Sequence, residues 1–214
     1  MTHQTPEGTP CWYELSTTDL DAAERFYTAA LGWSVADSGM PGMTYHLASA
    51  PDGGNVAGMS SGTMPGAPPN WLIYFTCDDC DRKVAAVTAS GGRVLAEPAD
   101  IPGTGRFAVV TDPQGAVFGL LQPLPMDGPP EHPAFDQQAL GHGNWHELMT
   151  SDPEAASLLE KHGARLRLDR GGGAAKPRLP ASVDEFHQLP PCLRLRGVER
   201  DLADALVDDD QDDD

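Results

Sequence analysis

Cys11-Trp12-Tyr13-Glu14-Leu15-Ser16-Thr17 reads as a strand, with apolar and polar residues alternating over Tyr13-Glu14-Leu15-Ser16, the period of a half-buried strand. Immediately afterwards the period changes. Leu20, Ala23, Tyr27, Ala30 and Leu31 recur at helical spacing, Thr18-Asp19-Leu20-Asp21 supplies an N-cap with acidic residues in the first turn, and Gly32 stands where the helix must stop. The same order then returns. Trp71-Leu72-Ile73-Tyr74-Phe75-Thr76-Cys77 reads as a strand, Asp78-Asp79-Cys80-Asp81 as a cap, and Val84, Val87 and Thr88 as a helix face ending at Gly91-Gly92. Asp19 to Gly32 and Asp79 to Gly92 each span 13 positions, which marks the two segments as copies of one unit.

Short β-rich runs broken by glycine and proline follow each helix: 33–35, 44–48 and 56–59 in the first copy, then 93–96, 106–111 and 116–121 in the second. Each unit is therefore predicted to be βαβββ. Asp112-Pro113-Gln114-Gly115 joins the last two strands as a tight turn, with proline fixing φ at its second position. A third start is written in Asn144-Trp145-His146-Glu147-Leu148-Met149-Thr150, followed by Ser151-Asp152-Pro153-Glu154-Ala155-Ala156. Before it lies Pro123-Leu124-Pro125-Met126-Asp127-Gly128-Pro129-Pro130, which reads as an extended, semi-rigid linker. The expected organisation is a complete domain over 10–122, a linker over 123–142, an incomplete or degenerate second domain over 143–207, and an acidic tail over 208–214. Beyond Ala156 the pattern fails and the composition shifts, because residues 1–157 hold 5 of the 14 basic residues and the last 57 hold 9. A truncated or frameshifted second domain is the expectation.

Charge narrows the partners. With 14 Lys and Arg against 32 Asp and Glu the formal net charge is −18, which repels phosphate backbones and anionic lipid surfaces. Small-molecule ligands are expected, with no nucleic acid and no membrane, and with a homodimer as the protein partner. The polar start carries no leader pattern and no run reaches membrane-spanning length, so the expected location is cytoplasmic. Four cysteines, Cys11, Cys77, Cys80 and Cys192, do not form a disulfide framework in that setting, and Cys77-Asp78-Asp79-Cys80 lacks the second pair of a metal site.

The TTDLDAAERFY and LGW segments after the first strand, the DDCD cap after the second and the DPQGAVFGLLQ ending resemble the vicinal oxygen chelate superfamily of glyoxalases, bleomycin-resistance proteins and extradiol dioxygenases, and more narrowly its tandem-domain, hydroxylase-like actinobacterial members. The resemblance implies an α+β fold in which paired βαβββ modules form an open curved sheet, with helices on the convex face and ligand in the concave one. Alternation would then turn Trp12, Glu14 and Ser16 into the cup and Tyr13, Leu15 and Thr17 towards the helices. Leu72, Tyr74 and Thr76 would point inward from the second copy, as would Val117, Gly119 and Leu121 from the last strand.

Catalytic members of the superfamily hold a divalent metal at the start of the first strand of each unit and late in the final strand. The matching positions here are Trp12, Leu72 and Gly119, whose side chains offer no lone pair to an ion. The resemblance thus implies a cup with no metal and no cofactor, binding a small molecule in the manner of a bleomycin-resistance protein. The alternative is a glyoxalase- or dioxygenase-type lyase, isomerase or oxygenase with metal ligands at other positions.

Glu14 is the candidate catalytic or anchoring residue, because a carboxylate among aromatic walls must find hydrogen-bond partners or titrate higher. Trp12, Ser16, Trp71, Leu72, Tyr74 and Gly119 complete the expected ligand-binding set. His46 lacks a second ligand for a metal, and His142, His146 and Glu147 lack the spacing of one. Gly103-Thr104-Gly105 precedes a strand and reads as a turn.

Overall fold

The computed structural model of the chain describes residues 5–40, 42–62 and 68–150. Among them the elements run β1 (Pro10–Thr17), α1 (Leu20–Leu31), β2 (Ser34–Asp37), β3 (Tyr45–Ser49), β4 (Asn55–Ser61), β5 (Asn70–Thr76), α2 (Cys80–Ala89), β6 (Arg93–Ile101), β7 (Gly105–Thr111) and β8 (Val117–Pro123). Both helices begin as the caps require. Asp19 accepts from the Ala22 amide at 2.9 Å and Asp79 from the Arg82 amide at 2.9 Å, each satisfying one of the donors that a first turn leaves unpaired.

The strands form one mixed sheet in the order β2-β3-β4-β1-β5-β8-β7-β6. In each βαβββ module the first strand pairs in parallel with the last, β1 with β4 and β5 with β8. The modules join where β1 and β5 run antiparallel, with Trp12 opposite Tyr74 and Glu14 opposite Leu72. Such pairing stitches two copies into the α+β, open curved sheet that the resemblance implies.

Each module has its own core on the helix side. Leu15, Leu20, Trp33, Val56 and Met59 pack in the first, and Cys77, Cys80, Val84, Val110 and Leu120 in the second. Alternation explains the division, since Leu15 and Thr17 are buried while their neighbours Glu14 and Ser16 face the other way. β6 runs on through Pro98 to Ile101, past the expected end at Ala96. It is an edge strand with two register shifts, where a missing proline N–H costs no ladder bond.

The segment after β8 departs further from expectation. Residues 131–146 do not hang as a spacer but fold back over the first module. The Trp33 indole donates to the Gly141 carbonyl at 2.7 Å, and the buried His142 sets one ring nitrogen on the Pro133 carbonyl at 2.6 Å and the other on Asp52 at 3.1 Å. His132 reaches the same Asp52 oxygen at 3.1 Å. The expected strand over 144–150 is absent. His146 stacks on Tyr13, 5.4 Å between ring centroids, and leaves no ladder partner for its neighbours. The Ser151–Ala156 continuation, the rest of the expected second domain, Cys192 and the acidic tail lie outside the described residues.

Candidate functional site

The concave face of the sheet encloses a cavity of about 1150 Å³, walled mainly by apolar side chains such as Leu47, Leu72, Phe107, Val109 and Leu121. At its floor stands Glu14, the sole ionic side chain among the described residues that line it. The Tyr74 hydroxyl donates to Glu14 Oε2 at 2.7 Å, and the Trp12 indole donates to the Tyr45 hydroxyl at 3.1 Å. Tyr45 in turn lies beside Glu14: burial first, then the charge and hydrogen bonding of that carboxylate, push the Tyr45 pKa up. The same causes act more strongly on Tyr74. Both phenols are therefore held as neutral donors around the carboxylate.

Two glycines make this arrangement possible. Gly119, directly opposite Tyr74 on β8, has no side chain, so the Tyr74 ring lies across it; a Cβ there would meet a ring carbon at 2.1 Å. Gly58, opposite Glu14 on β4, is crossed by Tyr45 in the same way, and a Cβ there would stand 1.8 Å from the Tyr45 oxygen. The positions are related by the repeat. Val56-Ala57-Gly58-Met59 and Val117-Phe118-Gly119-Leu120 are the same run in the last strand of each module.

Several expected residues fall into this cup and others do not. Trp12, Glu14, Ser16, Leu72 and Tyr74 line the cavity. Trp71 borders it, yet its indole turns to the helix side, donates to the Tyr27 hydroxyl at 2.8 Å and packs edge-on against Trp33. The reason is parity: Trp71 sits opposite Leu15, one step out of phase with Leu72. Gly119 lies beneath the Tyr74 ring and is not itself part of the wall, although its neighbours Val117 and Leu121 are. Thr76 is buried beyond the cavity. His46 faces α1, where it pairs with Glu24. His142 and His146 fasten the segment over the convex face, on the other side of the sheet from the cup.

Cys11, at the cavity edge, points its thiol to the Tyr74 carbonyl, and burial pushes its pKa up to about 11. Cys77 and Cys80 are buried free thiols at the β5–α2 junction. Sequence reading missed Tyr45 and Gly58. The repeated Val-x-Gly run was the available signal for the glycine, and Tyr45 shares a strand face with the cavity-lining Leu47.

Residues 11–120 match the family model described as Glyoxalase/Bleomycin resistance protein/Dioxygenase superfamily. The chain belongs to this superfamily. Among its relatives is CFP32 of Mycobacterium tuberculosis, whose name carries the word glyoxylase, 45% identical over 119 residues, a match covering 55% of this chain and 45% of that protein. The anthracycline biosynthesis protein DnrV of Streptomyces peucetius is 32% identical over 170 residues, covering 73% of this chain and 60% of its own length. The chain thus spans about half the length of these curated relatives. A methylmalonyl-CoA epimerase from Mycobacterium tuberculosis is similar in structure at 17% identity, with a TM-score of 0.44, over 57% of this chain and 93% of that one.

Trp12, Leu72 and Gly119 are the positions at which the resemblance would have a metal held. Those residues do not fit an ion. The Trp12 indole is a donor already committed to Tyr45, Leu72 is a hydrocarbon, and Gly119 is covered by a ring. Among the described residues no three His, Cys, Asp or Glu side chains gather in a group that could hold one. No helix among them is long and apolar enough to cross a membrane.

Proposed function

We propose that this chain is a small-molecule-binding protein that works as a bleomycin-resistance protein does, seating its guest in the concave cup without a metal ion. The observation that carries the reading is the Tyr74 ring laid over Gly119 with its hydroxyl on Glu14. That placement fills a corner where an ion would need a ligand, and turns the floor of the cup into a hydrogen-bonding platform instead. The apolar walls supply the affinity of a drug-sized site, and one carboxylate supplies orientation.

The binding unit comprises residues 10–122 together with the segment over 131–146 that packs on it. The superfamily scaffold serves several chemistries, and the names of CFP32 and DnrV point to different ones, so the reading rests on the cup rather than on either relative. A thermal-shift screen of uncharged, cationic and anionic aromatic compounds on the full chain tests it, because a guest that binds only the folded state raises the melting temperature. Compounds that stabilise the wild-type chain should lose their effect on Leu72→Arg, which places a long charged side chain in the cavity. A screen without a stabilising compound, or stabilisation that survives Leu72→Arg intact, contradicts the reading.

A further inference from the structure

We propose that the guest of the cup is an aromatic organic cation bearing an N–H donor, seated with its nitrogen on the Glu14 carboxylate and its rings along the apolar walls. The proposal rests on the ligand-binding reading above and narrows it to a chemical class.

Charge is the first ground. Glu14 is the sole ionic side chain among the described cavity-lining residues, so an anionic guest would be desolvated against a carboxylate with no cation in the wall to compensate it. A cationic guest meets the opposite situation.

Hydrogen-bond accounting is the second. The aromatic donors at the floor are spent inside the network, Tyr74 on Glu14 and Trp12 on Tyr45. An ionised carboxylate offers about four lone-pair sites and donates nothing. What the floor presents to a guest is therefore an acceptor, and the guest must bring the proton. Charge-assisted bonds of this kind contribute more than neutral ones.

The walls are the third ground. Trp12, Tyr45 and Tyr74 line the cavity with the carboxylate, and aromatic rings favour a cation over a neutral molecule of the same shape. A volume of about 1150 Å³ admits several fused rings, at the upper end of drug-sized sites.

Fluorescence titration of the full chain with three tricyclic or bicyclic probes tests the proposal: proflavine, a cation with amino donors; phenazine, an uncharged analogue; and 8-anilinonaphthalene-1-sulfonate, an anion. Physiological salt is needed to screen the general attraction of a chain of net charge −18 for any cation. Proflavine should bind about tenfold or more tightly than either other probe, and Glu14→Gln should remove that preference. If Glu14→Gln retains proflavine affinity, or phenazine or the sulfonate binds the wild-type chain as tightly as proflavine does, the cation proposal fails while ligand binding by the cup stands. Should none of the three bind, both readings fall. The wild-type comparison decides the matter even if Glu14→Gln does not fold.

Discussion

Tyr74 is 7% exposed and its ring has no free end to swing aside, so whatever replaces the hydrogen of Gly119 must displace the ring as a whole. Gly119→Ala is therefore expected to destabilise the fold by about 1–3 kcal/mol, the range of an overpacked core, and to pull the Tyr74 hydroxyl off Glu14. Chemical denaturation gives the first effect and loss of ligand-induced stabilisation the second; an alanine variant with unchanged stability would show that the ring does not lie where it is described. The tyrosines also set a pH limit. Tyr13, Tyr45 and Tyr74 have pKa values raised in the folded chain, with burial as the first cause, whereas unfolded tyrosine ionises near about 10. A raised folded pKa means that the unfolded state loses protons first, so their contribution is complete below about pH 10 and is lost as pH climbs above it. Denaturation midpoints should fall in that window, with a shallower fall for Tyr74→Phe. Phenolate absorbance from these three residues should grow only as the chain unfolds.

At the scale of the elements, the repeat carried most of the fold. Strand–cap–helix–glycine appears twice at one spacing, and each later strand is bounded by turn residues, so local chemistry and long-range pairing agree. Alternation along β1, combined with the ligand face that the resemblance implies, set Trp12 and Glu14 on one side, and both line the cavity. Residues 131–146 were illegible for the opposite reason: they have no period, and their anchors Tyr13, Trp33 and Asp52 lie some 80 to 133 positions away in the chain. A repeat of the first strand's residues at 144–150 predicted a strand, yet a strand needs a partner edge, and His146 instead found the ring and hydroxyl of Tyr13. Tyr45 was illegible because its role depends on Gly58 of another strand. The folded-back segment should matter to stability. Trp33→Phe removes the bond to Gly141 and part of a buried ring, so a loss of about 2–3 kcal/mol is expected by denaturation. Burial also lowers the His146 pKa, so this fastening is complete above about pH 6.5 and weakens as the pH falls below it. Hydrogen exchange over 131–146 that is fast at neutral pH and indifferent to Trp33→Phe would mean that the segment is not fastened.

Across the whole molecule, two copies of one module meet at β1 and β5 and leave a hollow whose symmetry-related corners are glycines crossed by tyrosines. Here the Tyr74 hydroxyl donates to the Glu14 carboxylate, while the Trp12 indole donates to the Tyr45 hydroxyl beside it. The proposed function makes this a site whose affinity would come from apolar area and one acceptor, with no divalent ion required. Elemental analysis of the purified chain, paired with ligand-induced thermal stabilisation before and after exhaustive chelation, tests this most directly. The account predicts substoichiometric divalent metal and a stabilisation that chelation leaves unchanged. Stoichiometric iron, manganese, zinc or nickel that is lost on Glu14→Ala, with chelation abolishing the ligand's effect, would contradict it.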